Sequence, residues 1–422
     1  MSTRNIRVIA FSICLAALFC AICADAFCAE SRFGQIDEYV ARTPASAKKS
    51  INSLADYLIK PAGSDVEKAR AIFSWITHNI NFDMDAYDSG IYGDQSPATV
   101  LKTRTAVCDG YSNLFNALAK RAGVESVTID GCSRGRDYQV GSTFTRNDHS
   151  WNAVKIDGSW RLLDCIWGAG YIDGDRKFVR KPRDYYFLTD PTAFVYDHFP
   201  QNPSWQLLDK PITKSEFESL VYIRPAFFSY NLKLASNLQG TINCGNSCSV
   251  ELVSPDDVLL AAEVKRGEVN APGASVFVQR DSSRVCVNAI FPTAGEYILR
   301  LYAKRADAPG NYDWAADYCV KANPQTSDND AFPTAFETFH QKNAHLYEPM
   351  RGCLKSGSTQ TFRITAPEAL AVAVIIDGKW VNLQKTGSLF EGQALIRGND
   401  VQVAAMFPGN RNYLVLLKYT VT

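Results

Sequence analysis

The chain has 422 residues, of which 46% are hydrophobic and 12% aromatic, enough apolar material for two to four domains with buried cores. Its 44 basic and 44 acidic side chains cancel to a formal net charge of zero. Because no face-wide basic excess is visible, the composition argues against a nucleic-acid partner and against an anionic membrane surface.

The N-terminus has the pattern of a secretory signal peptide. Arg4 and Arg7 precede an apolar run at residues 8–24, and Ala24-Asp25-Ala26 is a cleavage site of the small-x-small kind. We expect a signal peptide at residues 1–26, a mature chain from Phe27, a secreted, periplasmic or extracellular location, and no stable membrane insertion after signal removal. An uncleaved anchor is the alternative, because the run is close to the minimum length that spans a bilayer.

Cysteine usage fits that compartment. Removal of residues 1–26 takes away three of the 12 cysteines and leaves nine, so eight could pair as disulfides if Cys108 stays reduced. Cys244 and Cys248 have the spacing of half a metal clip, but no second Cys/His pair accompanies them. A local disulfide or free thiols are therefore favoured over zinc, and the sequence predicts no metal and no cofactor.

The first predicted elements are helical. Residues 31–60 carry an amphipathic pattern, and Ser64-Asp65-Val66-Glu67 is a capping box that opens a strong helix. The loop at residues 81–98 could overhang the next helix. Gln95 in this loop is a candidate donor to an oxyanion, although most loop glutamines have no such role.

Cys108 stands at the predicted start of that next helix. Apolar residues recur at helical spacing from Tyr111 to Ala122, and Gly123 is a C-terminal stop. The unpaired N–H groups and the dipole of a helix start favour a thiolate, which is the nucleophilic form of cysteine. A small buried apolar side chain is the alternative interpretation of a lone cysteine at this position.

Residues 148–164 predict a β-hairpin around Asp157-Gly158, a dipeptide that favours a two-residue turn with positive φ at both positions. With that turn Ile156 faces Ser159, and Asp164 lies opposite Trp151. His149 and Asp164 then emerge on one face as diagonal neighbours, roughly 7–8 Å apart at the backbone.

These residues are the parts of a Cys-His-Asp triad. Cys108 would be the nucleophile, His149 the base that takes its proton and returns it to the leaving amine, and Asp164 the group that fixes the imidazole tautomer. We expect the sulfur of Cys108 within about 4–5 Å of His149.

Three motifs resemble those of the transglutaminase-like superfamily, in the same order and with similar spacing. They are Val107-Cys108-Asp109-Gly110-Tyr111-Ser112, Asp148-His149-Ser150-Trp151-Asn152 and Leu163-Asp164-Cys165-Ile166-Trp167-Gly168. The stretch at residues 185–208 is similar to the kyphoscoliosis peptidase and hillarin branch. The resemblance covers residues 66–235 and implies an α+β, papain-like core, without choosing among peptidase, transamidase and inactive members.

His198 is a rival for the role of base. Its surroundings, Tyr196-Asp197-His198-Phe199-Pro200, show neither an alternating strand nor a carboxylate at strand spacing. We therefore interpret His198 as structural and expect its replacement by Gln to change the rate little.

From about Arg224 the sequence changes to short alternating strands with Gly, Pro, Asn and Ser turns, as in β-sandwiches. Residues 289–292 parallel 405–408 at an offset of 116 (407 − 291), and residues 249–255 parallel 361–367 at an offset of 112 (367 − 255). Two sandwich domains follow, joined by a polar linker at residues 323–328.

The predicted organisation is a signal peptide at 1–26, a transglutaminase-like catalytic domain at 27–222, and Ig-like β-sandwich domains at 223–325 and 326–422. The predicted function is that of a secreted thiol enzyme acting on protein or peptide amide bonds through an acyl-thioester, as a peptidase or deamidase, with transamidation as a further outcome. The alternative is a catalytically silent scaffold or protein-binding module.

Overall fold

A computed structural model describes residues 33–136, 138–324 and 331–422. The chain divides into two compact units. Unit 1 contains residues 33–136 and 144–212, and unit 2 contains residues 138–143 and 213–422. The predicted signal peptide and most of the predicted linker lie outside the described residues. Among the helices within the described ranges, none has both the length and the apolar character required to cross a bilayer.

Unit 1 begins with helices, and residues 33–41 are the first helical segment. The predicted strong helix starts where its capping residues place it, since the hydroxyl of Ser64 accepts from the backbone N–H of Glu67. The labelled helices of this unit are α1 (Ile51–Leu58), α2 (Asp65–Asn79), α3 (Met84–Ser89), α4 (Pro97–Thr103), α5 (Cys108–Arg121), α6 (Cys165–Ala169) and α7 (Pro191–Phe194).

A four-stranded antiparallel sheet forms the other half of unit 1, in the order β5-β4-β3-β8. Two small two-stranded pairs, β1-β2 and β6-β7, accompany it. The strands are β1 (Asn81–Phe82), β2 (Thr105–Ala106), β3 (Ser126–Ser133), β4 (His149–Ile156), β5 (Ser159–Leu163), β6 (Gly170–Ile172), β7 (Phe178–Arg180) and β8 (His198–Pro200).

The predicted hairpin is confirmed in turn and register. Asp157 and Gly158 have φ values of 48° and 78°, and Ile156 pairs with Ser159. The turn dipeptide therefore decides which face of β4 carries His149.

Helix α5 packs against β4, so the helix that begins at Cys108 is held beside the strand that begins at His149. Its predicted apolar face is buried, with at most 1% exposure at Tyr111, Leu114, Phe115 and Leu118. Burying four side chains of this size contributes roughly 1.5–3 kcal/mol for each, before the cost of ordering the chain. The start of the helix is thereby fixed against the strand that carries the histidine.

Unit 2 is built almost entirely of strands. Its helices are α8 (Lys214–Ser219), α9 (Pro225–Ser229) and α10 (Glu337–Gln341). Its strands are β9 (Tyr222–Ile223), β10 (Lys233–Leu234), β11 (Thr241–Cys244), β12 (Ser247–Val253), β13 (Val258–Arg266), β14 (Val269–Asn270), β15 (Ser275–Asp281), β16 (Arg284–Ile290), β17 (Gly295–Arg305), β18 (Asp313–Ala322), β19 (Thr334–Ala335), β20 (His345–Glu348), β21 (Cys353–Leu354), β22 (Thr359–Thr365), β23 (Ala371–Ile376), β24 (Lys379–Asn382), β25 (Gln384–Thr386), β26 (Leu389–Leu395), β27 (Val401–Met406) and β28 (Leu414–Val421).

Two β-sandwiches with one topology make up this unit. The first has sheets β10-β12-β16-β15 and β11-β18-β17-β13-β14, and the second has β20-β22-β26-β25 and β19-β28-β27-β23-β24. In addition, β9 pairs with β18 and β21 pairs with β28, so each strand from β9 to β18 corresponds to the strand ten places later. The α+β unit followed by β-sandwiches agrees with the predicted fold class.

Cys244 and Cys248 are free thiols, and burial together with the neighbouring Cys244 raises the pKa of Cys248. They flank the turn between β11 and β12. Of the alternatives that the sequence left open for this pair, the structure has the free thiols.

Candidate active site

Cys108 is the first residue of α5, as the sequence predicted. Val107 is the N-cap and contributes no side-chain cap, so the free N–H groups of the first turn remain directed toward the thiol end of the helix. The Cys108 side chain is partly exposed and lies 3.9 Å from the carboxylate of Asp109. Its position combines access with the positive end of a helix dipole.

The loop before α4 is fastened to the start of α5 through Gln95. The Gln95 side-chain oxygen accepts from the backbone N–H of Val107 at 3.1 Å, and its backbone oxygen accepts from Asn113 at 3.3 Å. Gly110 permits this approach, because a Cβ at that position would lie 2.4 Å from the Gln95 oxygen. Gln95 therefore positions the residue next to Cys108.

Polar contacts also fasten α5 to β4 beside the histidine. The hydroxyl of Ser150 donates to the Asp109 carboxylate at 2.9 Å, and the Asn152 amide donates to the backbone oxygen of Ser112 at 3.2 Å. These two contacts come from residues within four positions of Cys108 and within three of His149. They set the distance between the thiol-bearing turn and the histidine-bearing strand.

His149 and Asp164 meet as the hairpin register requires. Nε2 of His149 lies 2.7 Å from Oδ2 of Asp164, and both side chains are buried. The Cys108 thiol also interacts with the His149 ring and helps to raise the pKa of His149. The structure thus brings the three predicted site residues, Cys108, His149 and Asp164, into one connected group.

Asp164 has a second task as the N-cap of α6. Its Oδ1 accepts from the backbone N–H groups of Ile166 and Trp167 at 2.8 and 3.0 Å. Its Oδ2 accepts from His149 and, at 3.0 Å, from Nε2 of His198. Four hydrogen bonds therefore hold one buried carboxylate in a single orientation.

These contacts determine the charges in the site. Burial alone would lower the pKa of His149, but attraction and hydrogen bonding to Asp164, with a smaller contribution from Cys108, raise that pKa to about 10. Burial alone would raise the pKa of Asp164, yet His149 and His198 together lower it well below its ordinary value. The pair is thus suited to hold an imidazolium against a carboxylate.

Cys165, adjacent to Asp164, is excluded as a rival nucleophile. Its side chain is buried, and both burial and the neighbouring Asp164 carboxylate raise the pKa of the Cys165 thiol well above its ordinary value. A thiol in that environment stays protonated at neutral pH.

The sequence predicted that His198 lies outside a strand and has no carboxylate partner, and the structure shows that both statements are wrong. His198 lies in β8, opposite Ser133 of β3, and its ring contacts two carboxylates. The sequence did not predict this position of His198, because β8 pairs with a strand about 65 residues earlier in the chain and no local sequence pattern indicates that pairing. Its one local signal is the acidic neighbour Asp197.

Aromatic rings enclose the two histidines. Trp167 stacks on His149 at 5.5 Å between ring centroids, and Phe194 stacks on His198 at 4.0 Å. Tyr186 and Trp151 complete the surroundings of His198. Rings of this kind exclude water, so the hydrogen bonds between the charged groups act in a medium of low dielectric constant.

His149, Asp164 and His198 each present one atom that could ligate a metal, all within 4.8 Å of one another. Nε2 of His149 and Nε2 of His198 both lie at hydrogen-bond distance from Oδ2 of Asp164, so a metal ion would have to displace both hydrogen bonds. We therefore interpret the group as a proton-handling network.

Known proteins match both units of the chain. Residues 52–165 match the family model of the transglutaminase-like superfamily, and residues 214–333 match that of the KY-like, immunoglobulin-like domain. Kyphoscoliosis peptidase of Mus musculus is 32% identical over 286 residues, which are 66% of this chain and 42% of that protein. The Homo sapiens protein is 31% identical over 300 residues, 69% of this chain and 43% of its own length.

Hillarin of Drosophila melanogaster is 33% identical over 242 residues, 54% of this chain and 29% of that protein. This chain thus spans less than half the length of the three curated relatives. The fold and the site define a transglutaminase-like core followed by a KY-like immunoglobulin-like domain. The chain is a homologue of kyphoscoliosis peptidase and hillarin, and the resemblance drawn from the sequence motifs is confirmed.

Proposed function

We propose that the chain is a thiol enzyme that attacks carboxamide or peptide bonds of a protein or peptide substrate and forms an acyl-thioester on Cys108. The single observation that carries this proposal is the group formed by a thiol at a helix start, a histidine whose pKa that thiol helps to raise, and a buried carboxylate 2.7 Å from Nε2 of the histidine. A structural cysteine needs neither partner.

In the proposed reaction the Cys108 sulfur, having given its proton to His149, attacks the carbonyl carbon. The carbonyl electrons move to the oxygen, where the backbone N–H groups at the start of α5 stabilise the negative charge. When the C–N bond breaks, His149 protonates the leaving amine. The product of this half-reaction is an acyl-thioester and a free amine or ammonia.

The acyl group then passes to a second nucleophile. His149 removes a proton from a water molecule or from an amine, and that nucleophile attacks the thioester carbonyl. The C–S bond then breaks, and His149 gives its proton to the sulfur, which restores the thiol. Water as acceptor makes the enzyme a peptidase or deamidase, and a lysine amine makes it a transamidase. We favour hydrolysis, because the relatives in mouse and human are named as peptidases.

Limiting haloacetamide at neutral pH, followed by mass-spectrometric mapping, tests the state of Cys108. We expect Cys108 to be labelled first and buried Cys165 to remain unlabelled until the protein is denatured. Labelling of Cys108 no faster than in the denatured chain would favour the silent scaffold instead.

Cys108→Ser tests the chemistry. The change is nearly isosteric, so the free energy of unfolding should change by less than about 1 kcal/mol, whereas turnover should be almost abolished because a hydroxyl is far less acidic than a thiol. The assay must score new peptide termini or ammonia, and also the incorporation of a labelled amine. Unchanged turnover in this variant would remove Cys108 from the mechanism.

We also propose that the protein is exported, on the evidence of Arg4, Arg7, the apolar run and Ala24-Asp25-Ala26. The substrate would then be an extracellular or envelope protein. Intact mass measurement of the exported protein should give a chain that starts at Phe27, and a full-length chain retained in the cytoplasm would contradict export.

A further inference from the structure

We propose that His198 is a positioning residue of this site: a buried imidazolium, held between the carboxylates of Asp164 and Asp197, that limits how strongly Asp164 holds the proton of His149. This inference rests on the proposed function for its catalytic consequence. The charge state that it assigns to His198 is independent of that function.

The hydrogen-bond geometry requires two donors on the His198 ring. Nε2 lies 3.0 Å from Oδ2 of Asp164, and Nδ1 lies 2.6 Å from Oδ1 of Asp197. A neutral imidazole has only one N–H, and a bare ring nitrogen against a carboxylate oxygen would be repelled. Tyr186 donates its hydroxyl to the other oxygen of Asp197 at 3.3 Å, so Asp197 acts as an acceptor on both oxygens. Both nitrogens of His198 are therefore protonated.

The immediate environment supports a charge despite complete burial. The His198 side chain is 0% exposed. Burial alone would disfavour the imidazolium, but the attraction of Asp197 and the hydrogen bonds to Asp164 and Asp197 raise the pKa of His198 above its ordinary value.

The other elements packed against His198 add few charges. His149, from β4, lies 5.3 Å away between ring centroids, and Cys108 acts on the network through His149. Arg134, which follows β3 and is also buried, donates its backbone N–H to the carbonyl of Asp197 at 2.9 Å. The aromatic rings of Trp151, Trp167, Phe194 and Tyr186 also contact His198. Asp148, which precedes β4, interacts electrostatically with His149.

A cation at His198 changes what Asp164 can do for His149. Two carboxylates and one imidazolium leave a single net negative charge, which one imidazolium at His149 balances. Without His198 the two carboxylates would act together and hold the His149 proton more tightly. A base that holds its proton too tightly is a poor acid for the leaving amine, so His198 moderates His149 in the direction that catalysis needs.

Two variants that remove charges of opposite sign test the proposal. His198→Gln removes a positive charge about 5 Å from His149, so the rise of Cys108 alkylation by iodoacetamide with pH should move to higher pH, by about one unit or more. Asp197→Asn removes a negative charge and should move this rise to lower pH. The double variant should return the profile close to that of the wild type.

Phe194→Leu is the matched control for packing. Phe194 covers the His198 ring but forms no hydrogen bond with it, so its truncation should lower stability and leave the alkylation profile in place. A purely structural role for His198 predicts the opposite pattern: all four variants lose stability, and none moves the profile.

The charge state has its own measurement in the wild-type protein. Ring ¹⁵N spectra should show both nitrogens of His198 protonated at neutral pH, and a neutral His198 would overturn the inference even if a variant failed to fold. If wild-type Cys108 shows no activated alkylation, the proposed function fails. If it does and His198→Gln leaves the profile unchanged, only the present inference fails.

Discussion

Asp164 ends the hairpin and begins α6, so one carboxylate both caps a helix and orients two histidines. The Asp164→Asn variant cannot serve both tasks. Whichever way the amide is turned, its NH₂ faces either two ring N–H groups or two backbone N–H groups. We expect a loss of about 1–3 kcal/mol in stability, and a fall in turnover on the order of 10⁴-fold because His149 adopts the wrong tautomer.

Asp190 supplies the matched control for that variant. It caps α7 by the same kind of contact, accepting from the backbone N–H of Thr192 at 2.8 Å, and it is exposed. Asparagine is as good an N-cap as aspartate, so Asp190→Asn should leave both stability and turnover nearly unchanged. Comparable losses in the two variants would mean that Asp164 acts only as a cap.

The His149 proton makes stability depend on pH. In the unfolded chain a histidine loses its proton near pH 6.5, whereas the pKa of His149 in the folded protein is about 10. Between these values the folded state binds a proton that the unfolded state does not, so the free energy of unfolding should fall as pH rises from about 6.5 to 10. In His149→Gln this fall should be shallower.

Denaturant unfolding at a series of pH values measures that slope. Below about pH 6 both states carry the proton, and His149 should then contribute no slope. Equal slopes above pH 7 in the wild type and the variant would contradict the protonated His149.

At the residue scale, the sequence was sufficient wherever the relevant contact was local. The positions of His149 and Asp164 followed from a two-residue turn and the period of a strand, and the place of Cys108 followed from helical spacing. His198 could not be predicted in the same way. It joins the site only because β8 pairs with β3, and that pairing depends on the tertiary fold.

At the scale of elements, Gly110 is a position of α5 where close packing against neighbouring residues outweighs helix propensity. Alanine would normally stabilise a helix relative to glycine, but a Cβ here would lie 2.4 Å from Gln95, 2.6 Å from Ala106 and 2.9 Å from Val100. Gly110→Ala should therefore destabilise the protein by about 1–3 kcal/mol and slow the alkylation of Cys108 by displacing the loop.

Gly34 is the corresponding control, because it lies in the helical segment at residues 33–41 and a Cβ there would meet nothing within 4 Å. Gly34→Ala should be neutral or stabilising by up to about 1 kcal/mol. Thermal or denaturant unfolding of both variants decides the matter. A stabilised Gly110→Ala variant would show that the loop containing Gln95 can move away from the added methyl group at little cost in free energy.

The repeat in the sandwich region illustrates both the reach and the limit of pattern matching. The offset of 112 pairs β12 with β22, which occupy equivalent places in the two sandwiches. The offset of 116 pairs β16 with β27, and this match is wrong, because β16 corresponds to β26. Alternating strands of similar length resemble one another whatever their place in a sheet, so similarity of sequence identified the kind of domain better than the order of its strands.

At the scale of the whole molecule, the structure suggests where a fragment of unit 2 should begin. The predicted start at residue 223 falls inside β9, whose residues Tyr222 and Ile223 pair with Asp317 and Ala316 of β18. The continuous part of unit 2 instead starts at Thr213, the residue that caps α8, and the buried Phe217 lies in that helix; the unit also includes residues 138–143. A fragment from Thr213 thus retains the whole edge of the first sandwich.

The two sandwiches also share packing and hydrogen bonds. Phe277 of the first sandwich belongs to the buried cluster of the second and lies 5.5 Å from Phe339 between ring centroids. The side chain of Gln279 accepts from the backbone N–H of Leu346 at 3.1 Å. These contacts couple the sandwiches, so we expect them to unfold together.

Residues 213–422, expressed alone, should therefore be soluble and should unfold in urea in a single transition, since both cores and the contacts between them lie within the fragment. Residues 223–422 should unfold at a lower urea concentration, because the loss of Phe217 and of half of β9 removes two buried aromatic side chains, Phe217 and Tyr222, each worth roughly 1.5–3 kcal/mol. Phe277→Ala in the longer fragment should separate the transition into two, as the shared cluster is lost. An aggregated longer fragment would show that unit 2 depends on unit 1, and two transitions without the Phe277 change would show that the sandwiches are uncoupled.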